Sequence, residues 1–195
     1  MRWLTLYARS RQVPASLAAV VISAVAVWAL ARDGGGGPGD PRLPVLVLAA
    51  GAMAASIGLS GQDLALDRTA AIRWAPRRAA HVLLCGAVVG TVLLTVQTMG
   101  QDMATTAFVV RDTAGLMGLV ALGAALWGGQ YAWTPPFAWL SFSFFAPPPT
   151  GAPTRVPMQV ASWMLLRPGT AAGTWTALVL AVAGTAAYAV AGPRR

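Results

Sequence analysis

The sequence has no lysine and no glutamate, one histidine and one cysteine. Without lysine there is no Gly-x-x-x-x-Gly-Lys-Ser/Thr loop, so the chain cannot itself be an ATPase of the usual phosphate-loop kind. A single cysteine, Cys85, excludes an intrachain disulfide, and within its apolar run the thiol acts as a small hydrophobe. His81 and Cys85 are four apart and could share a helix face, but two ligands do not fill a tetrahedral metal site. Charge is scarce too. Only 10% of the 195 residues are charged, against 56% hydrophobic and a mean hydropathy of +0.61, too little charge to cover a soluble globule.

What is present is apolar sequence in long runs. A membrane helix needs about 20 mostly apolar residues, and six segments approach this: 13–31, 43–60, 79–99, 112–130, 131–147 and 171–191. The expected fold is all-α, a polytopic membrane protein of about six transmembrane helices forming one domain over 1–195. The basic start "MRWLTLYARSRQ", residues 1–12, followed by an apolar stretch, has the outline of a signal peptide. The stretch reaches spanning length without a convincing cleavage site, which favours a retained anchor. Pro135 and Pro136 remove backbone donors from the fifth segment, so it should pack against other helices.

The net charge of +8 and pI near 11.5 would suit nucleic acid. Basic residues at the ends of apolar segments instead record membrane orientation, and no nucleic-acid partner is expected. With both termini cytoplasmic, the inner segments hold Arg2, Arg9, Arg11, Arg68, Arg73, Arg77, Arg78, Arg194 and Arg195 against Asp63 and Asp67. The outer segments hold Arg32, Arg42, Arg111, Arg155 and Arg167 against Asp33, Asp40, Asp102 and Asp112. The excess lies inside, as the positive-inside rule requires.

The connections differ in character. "DGGGGPGDPR", 33–42, is a flexible turn, and no Lys-Ser/Thr follows its glycines. "PPPTGAPTRVPMQVASWMLLRPGT", 147–170, opens with prolines and then turns apolar enough to lie in the interface or dip back into the membrane. Charge is densest in "LDRTAAIRWAPRRAAHVLL", 66–84, and around it a short helix ending near Pro76 is expected, with Asp63 and Asp67 at its beginning and arginines towards its end, complementing a helix dipole. The plain reading is topology, with Trp74 anchoring at the headgroups.

The whole arrangement resembles the membrane subunit of a type-2 ABC exporter, the ABC-2 type permease family. "MRWLTLYARSRQ" resembles the family's N-terminal interfacial helix, "GQDLALDRTAAIRWAPRRAAHVLL" its cytoplasmic coupling helix, here 61–78, and 147–170 its re-entrant external hairpin. "RDTAGLMGLVALGAALWGGQYAWTPP", 111–136, looks like the fourth span and its exit in actinobacterial members. The chain is short for that family and its external loops are small. The resemblance implies a multi-pass protein of the bacterial cytoplasmic membrane that exports an apolar or amphipathic substrate. It implies a separate ABC ATPase subunit as partner, and a second permease chain forming a homo- or heterodimer within the lipid bilayer. The ATPase would dock on Asp63, Asp67, Arg68, Arg73, Trp74, Arg77 and Arg78. No cofactor is implied.

Gly115, Gly118 and Gly123 would allow close helix approach at a dimer contact, though without a strict Gly-x-x-x-Gly. No charge is expected in the middle of a span, which argues against an ion relay. Trp127, Trp133, Phe137 and Trp139 could line a substrate path, while an aromatic belt explains most of the surrounding aromatics. Enzymatic readings are weaker. "GLSG", 58–61, with His81 matches an intramembrane serine protease only in a four-residue run, three of them small. Asp102 and Asp112 with Arg111 read as solvated loop charges rather than an acid/base pair. "DRTAAIRW" lacks the aspartates of metal-dependent lipid-headgroup transfer. The competing class is a non-transporting accessory or assembly protein of six spans.

Overall fold

The computed structural model describes residues 40–59, 74–98, 102–145 and 156–193, with Ala18, Val20, Val21, Ile22, Val25 and Ala29 from the first apolar segment. The interfacial helix expected over 1–12 lies outside these residues, as do Asp63, Asp67, Arg68 and Arg73, Ser60, and the 147–155 part of the expected hairpin.

The described residues are helical, in the order α1 (Arg42–Ala55, continued as a 3-10 turn over Ser56–Leu59), α2 (Trp74–Thr98), α3 (Thr106–Trp127), α4 (Thr134–Phe145), α5 (Val156–Ala161) and α6 (Ala171–Ala191). Four stretches are long and apolar enough to cross a membrane: Arg42–Leu59, α2, α3 and α6. The fifth expected span is not one of them. Its described part holds a 3-10 turn over Gly129–Tyr131 and then α4, whose 12 residues reach about 18 Å against the roughly 30 Å of hydrocarbon. The proline pair does not kink a long helix but occupies the first turn of a short one, where missing donors cost nothing.

α3 is the central helix. Leu116, Val120, Ala121 and Ala124 along it are fully buried, while α2 and α6 turn large apolar side chains outward, Leu83 at 66% and Val182 at 62% exposure. Such a belt belongs against lipid rather than water. Between helices in lipid there is little hydrophobic drive, so close packing of small residues and interhelical hydrogen bonds must hold them.

The α3–α6 contact meets that requirement with glycine. Gly118 and Gly184 face each other: a Cβ on Gly118 would sit 2.6 Å from Ala181 Cα, and one on Gly184 2.9 Å from Gly118 Cα. Gly115 lies beside Ala177 in the same way, so the two helices run parallel. α2 runs antiparallel to α3, with Gly86 against Met117 and Gly90 near Val109 and Thr113, and Gly51 of α1 packs on Val89 of α2. The glycines assigned to a dimer contact therefore serve the interior of one chain: Gly115 and Gly118 meet α6, and Gly123 meets Pro135 at the start of α4.

Polar bonds close the ends. At one end Tyr188 of α6, 2% exposed, donates its hydroxyl to the Leu59 carbonyl at 3.0 Å, and His81 Nε2 lies 3.2 Å from the Gly58 carbonyl. At the other, buried Gln97 bonds both the N–H and the carbonyl of Ala104, closing the turn from α2 to α3. Tyr188→Phe removes one buried donor while keeping the ring, and should lower unfolding free energy by about 1 kcal/mol. Denaturant titration in detergent measures it, and no change would place the Leu59 bond outside the folded core.

Candidate functional site

Two features carry chemistry: an apolar groove between α2, α3 and α6, and a buried polar clamp at the end of α3.

α3 starts six residues earlier than the sequence suggested. Thr105 is its N-cap, accepting a hydrogen bond from the Phe108 N–H at 3.3 Å. That start carries Arg111 and Asp112 into the second turn of a helix, which corrects their reading as solvated loop charges. The Asp112 side chain is fully buried and that of Arg111 is 7% exposed, with Nε 2.7 Å from Asp112 Oδ1. Adjacent residues on a helix do not face each other, so the long arginine folds back across its own helix to reach the carboxylate. Its two terminal nitrogens continue outward, Nη1 donating to the Arg167 carbonyl at 3.0 Å and Nη2 to the Leu166 carbonyl at 2.8 Å. The guanidinium also lies over the Phe108 ring, 5.1 Å from its centroid.

Those carbonyls belong to the segment leading into α6. The described part of the expected hairpin, 156–170, is a folded strap: α5, a 3-10 turn over Trp163–Leu165, and a turn at Gly169, whose φ of +89° suits glycine. Trp139 Nε1 and Ser143 Oγ on α4 both donate to the Ala161 carbonyl, tying α4 to the strap. Trp163, fully buried, packs its ring against Gly115, where a Cβ would come within 2.9 Å of it. Arg111 thus clamps the strap from above while Trp163 plugs it from below. Asp112 Oδ2, Thr113 Oγ1 and Trp163 Nε1 are buried with no hydrogen-bond partner in the protein. Together with the Arg111–Asp112 pair, these three atoms make a polar cluster beside one turn of α3.

The groove is different in kind. It encloses about 600 Å³, a size typical of small-molecule sites, and its walls are apolar apart from Thr91, Thr113 and Thr185. Its α2 wall begins at Ala79 and Val82 and ends at Leu94; its α6 wall runs from Ala181 to Ala189.

No family model, curated protein or solved structure matches this chain. The reading therefore rests on the residues themselves.

Of the expected docking residues, Trp74, Arg77 and Arg78 are described, and they form the first turn of α2. The short helix expected to end near Pro76 lies outside the described residues up to position 73, and Pro76 itself falls within the described helix α2. The Arg78 guanidinium lies against Gly192, the left-handed residue (φ +68°) that follows α6. Arg77 is exposed and stands 5.9 Å from the Trp74 ring centroid.

The aromatic path residues do not meet at the groove. Trp127, Trp133 and Phe137 are 53%, 43% and 50% exposed on the outside, and Trp139 is spent on the Ala161 carbonyl. The groove is lined by small and aliphatic side chains that periodicity alone could not separate from lipid-facing ones. Among the described residues no three metal-ligating side chains come together, and His81 and Cys85 approach at 3.8 Å on one face of α2.

Proposed function

We propose that this chain is the permease subunit of an ATP-driven exporter of the type-2 ABC kind, moving an apolar or amphipathic substrate as a dimer with separate ATPase subunits. The observation that carries the reading is the groove of about 600 Å³ whose walls hold no charged side chain. An aliphatic cargo leaving the bilayer would lose little by entering it. The family resemblance of 61–84 supports an ATPase contact at the Trp74–Arg78 end, which the arginine distribution assigns to the cytoplasm. The strap before α6 stands where the family carries its external hairpin.

The test is purification of the tagged full chain from the organism that encodes it, in mild detergent, beside a copy carrying Arg73→Asp and Arg77→Asp. The expected result is a co-purifying subunit with ATPase activity that the double variant loses while inserting normally. If neither copy brings an ATPase in several detergents, the arginines act as a topology signal, and the accessory or assembly protein takes the place of the exporter.

A further inference from the structure

The hydroxyls that line the groove differ from those elsewhere in the helices. Thr95, Ser141, Ser162 and Thr176 each donate to the carbonyl four residues back, a common way for a helical hydroxyl to be satisfied. Thr91 on α2, Thr113 on α3 and Thr185 on α6 line the groove and make no hydrogen bond among the described residues. Thr113 is the one that matters most. It is 5% exposed and its Oγ1 is buried without a partner, a state that costs free energy until a partner is supplied.

The groove leaves room for that partner. Half-buried Gly90 of α2 faces Thr113, and a Cβ built on it falls 3.6 Å from Thr113 Oγ1 and 3.7 Å from Val109 Cγ1, both ordinary contacts. The missing side chain therefore leaves space for one atom beside the hydroxyl. Gly86, one turn earlier, faces the Thr113 methyl at 3.8 Å. Both glycines line the groove, near the middle of an α2 wall that runs from Ala79 to Leu94, about 22 Å. No charged side chain lines it, so an ionised group inside would lose its hydration without gaining a counter-ion.

We propose that the groove selects an uncharged aliphatic molecule carrying a keto or hydroxyl oxygen part-way along its chain, with the Thr113 hydroxyl bonding that oxygen. The apolar walls take the chain on either side of it. A plain hydrocarbon would fill the same walls and leave Thr113 unpaired. The inference rests on the reading of the groove as a cargo site and names the chemistry of the cargo.

The test offers the full chain, in mild detergent and without ATP or any added subunit, equal amounts of octadecane and a mid-chain octadecanone. After repurification, bound molecules are counted by gas chromatography and mass spectrometry, with protein-free micelles as the blank. Wild type should retain the ketone in preference by about fivefold, the worth of one net hydrogen bond. Thr113→Val keeps the shape and should abolish the preference while leaving octadecane unchanged; Thr113→Ser keeps the hydroxyl and should keep the preference. Gly90→Ala occupies the space beside the hydroxyl at ordinary contact distances, and should lower the ketone more than the alkane, which covers the case in which the valine variant misfolds. Absence of a preference in wild type, or a preference that persists in Thr113→Val, overturns the proposal. Binding is read here without an ATPase, so a failure is distinguishable from failure of the exporter reading, which is decided by capture of that subunit.

Discussion

Arg111→Leu is expected to be among the most damaging single substitutions in the molecule. It removes three hydrogen bonds at once and leaves Asp112 buried without its cation. Removing one partner of a buried pair costs about 3–5 kcal/mol, and the freed Leu166 and Arg167 carbonyls add to that. The expected phenotype is local: the strap over 156–170 should become protease-sensitive well before the α3–α6 contact separates, because only the Trp163 contact with Gly115 and the two α4 bonds to the Ala161 carbonyl then hold it. Limited proteolysis with mass mapping reads this. Arg111→Lys should rescue only part, since an ammonium cannot reach a carboxylate and two carbonyls in the forked geometry of guanidinium. The double variant Arg111→Leu, Asp112→Asn should be more stable than Arg111→Leu alone, as it removes the uncompensated charge. If all three behave as wild type, the clamp contributes nothing to the fold.

Gly118→Val should separate α3 from α6. Its Cβ would press into the α6 backbone at Leu180 and Ala181, and backbone cannot move aside as a flexible side-chain end can. Overpacking a core usually costs about 1–3 kcal/mol; a clash of two backbones in lipid, where close approach is itself the attraction, should exceed that range. Gly184→Val attacks the same contact from the other helix, so the double variant should be little worse than either single one. Cysteine pairs placed across α3 and α6 would report the separation as lost cross-linking. Gly86→Ala is the control: its Cβ meets Met117 Cγ at 3.3 Å, a flexible neighbour that can yield, and wild-type cross-linking is expected.

The four apolar helices were legible because length and composition decide them: a run of about 20 apolar residues cannot do much else. Their starts were less legible. α3 was read as beginning at Asp112 because charge suggested a loop, yet Thr105 followed by an apolar run was a capping signal upstream. α2 was read as beginning at Ala79 because proline and two arginines suggested an ending, whereas proline in a first turn begins a helix as readily. The fifth segment was read as a span from its apolar length, whereas the helix described within it, α4, has 12 residues.

The candidate site divides in the same way. Sequence distinguished a chain with no lysine, few charges and clustered arginines, and so directed attention to membrane topology and away from catalysis. It could not show which glycines meet which helix, or that Arg111 reaches across more than fifty residues to the strap. Nor could it show that the groove is walled by ordinary aliphatic side chains rather than by the conspicuous tryptophans. Hydrophobic run length is a local property, written residue by residue, and it determined an all-helical membrane protein. Partner choice between helices depends on where a missing Cβ or a long guanidinium falls in three dimensions, and that only the tertiary structure decided.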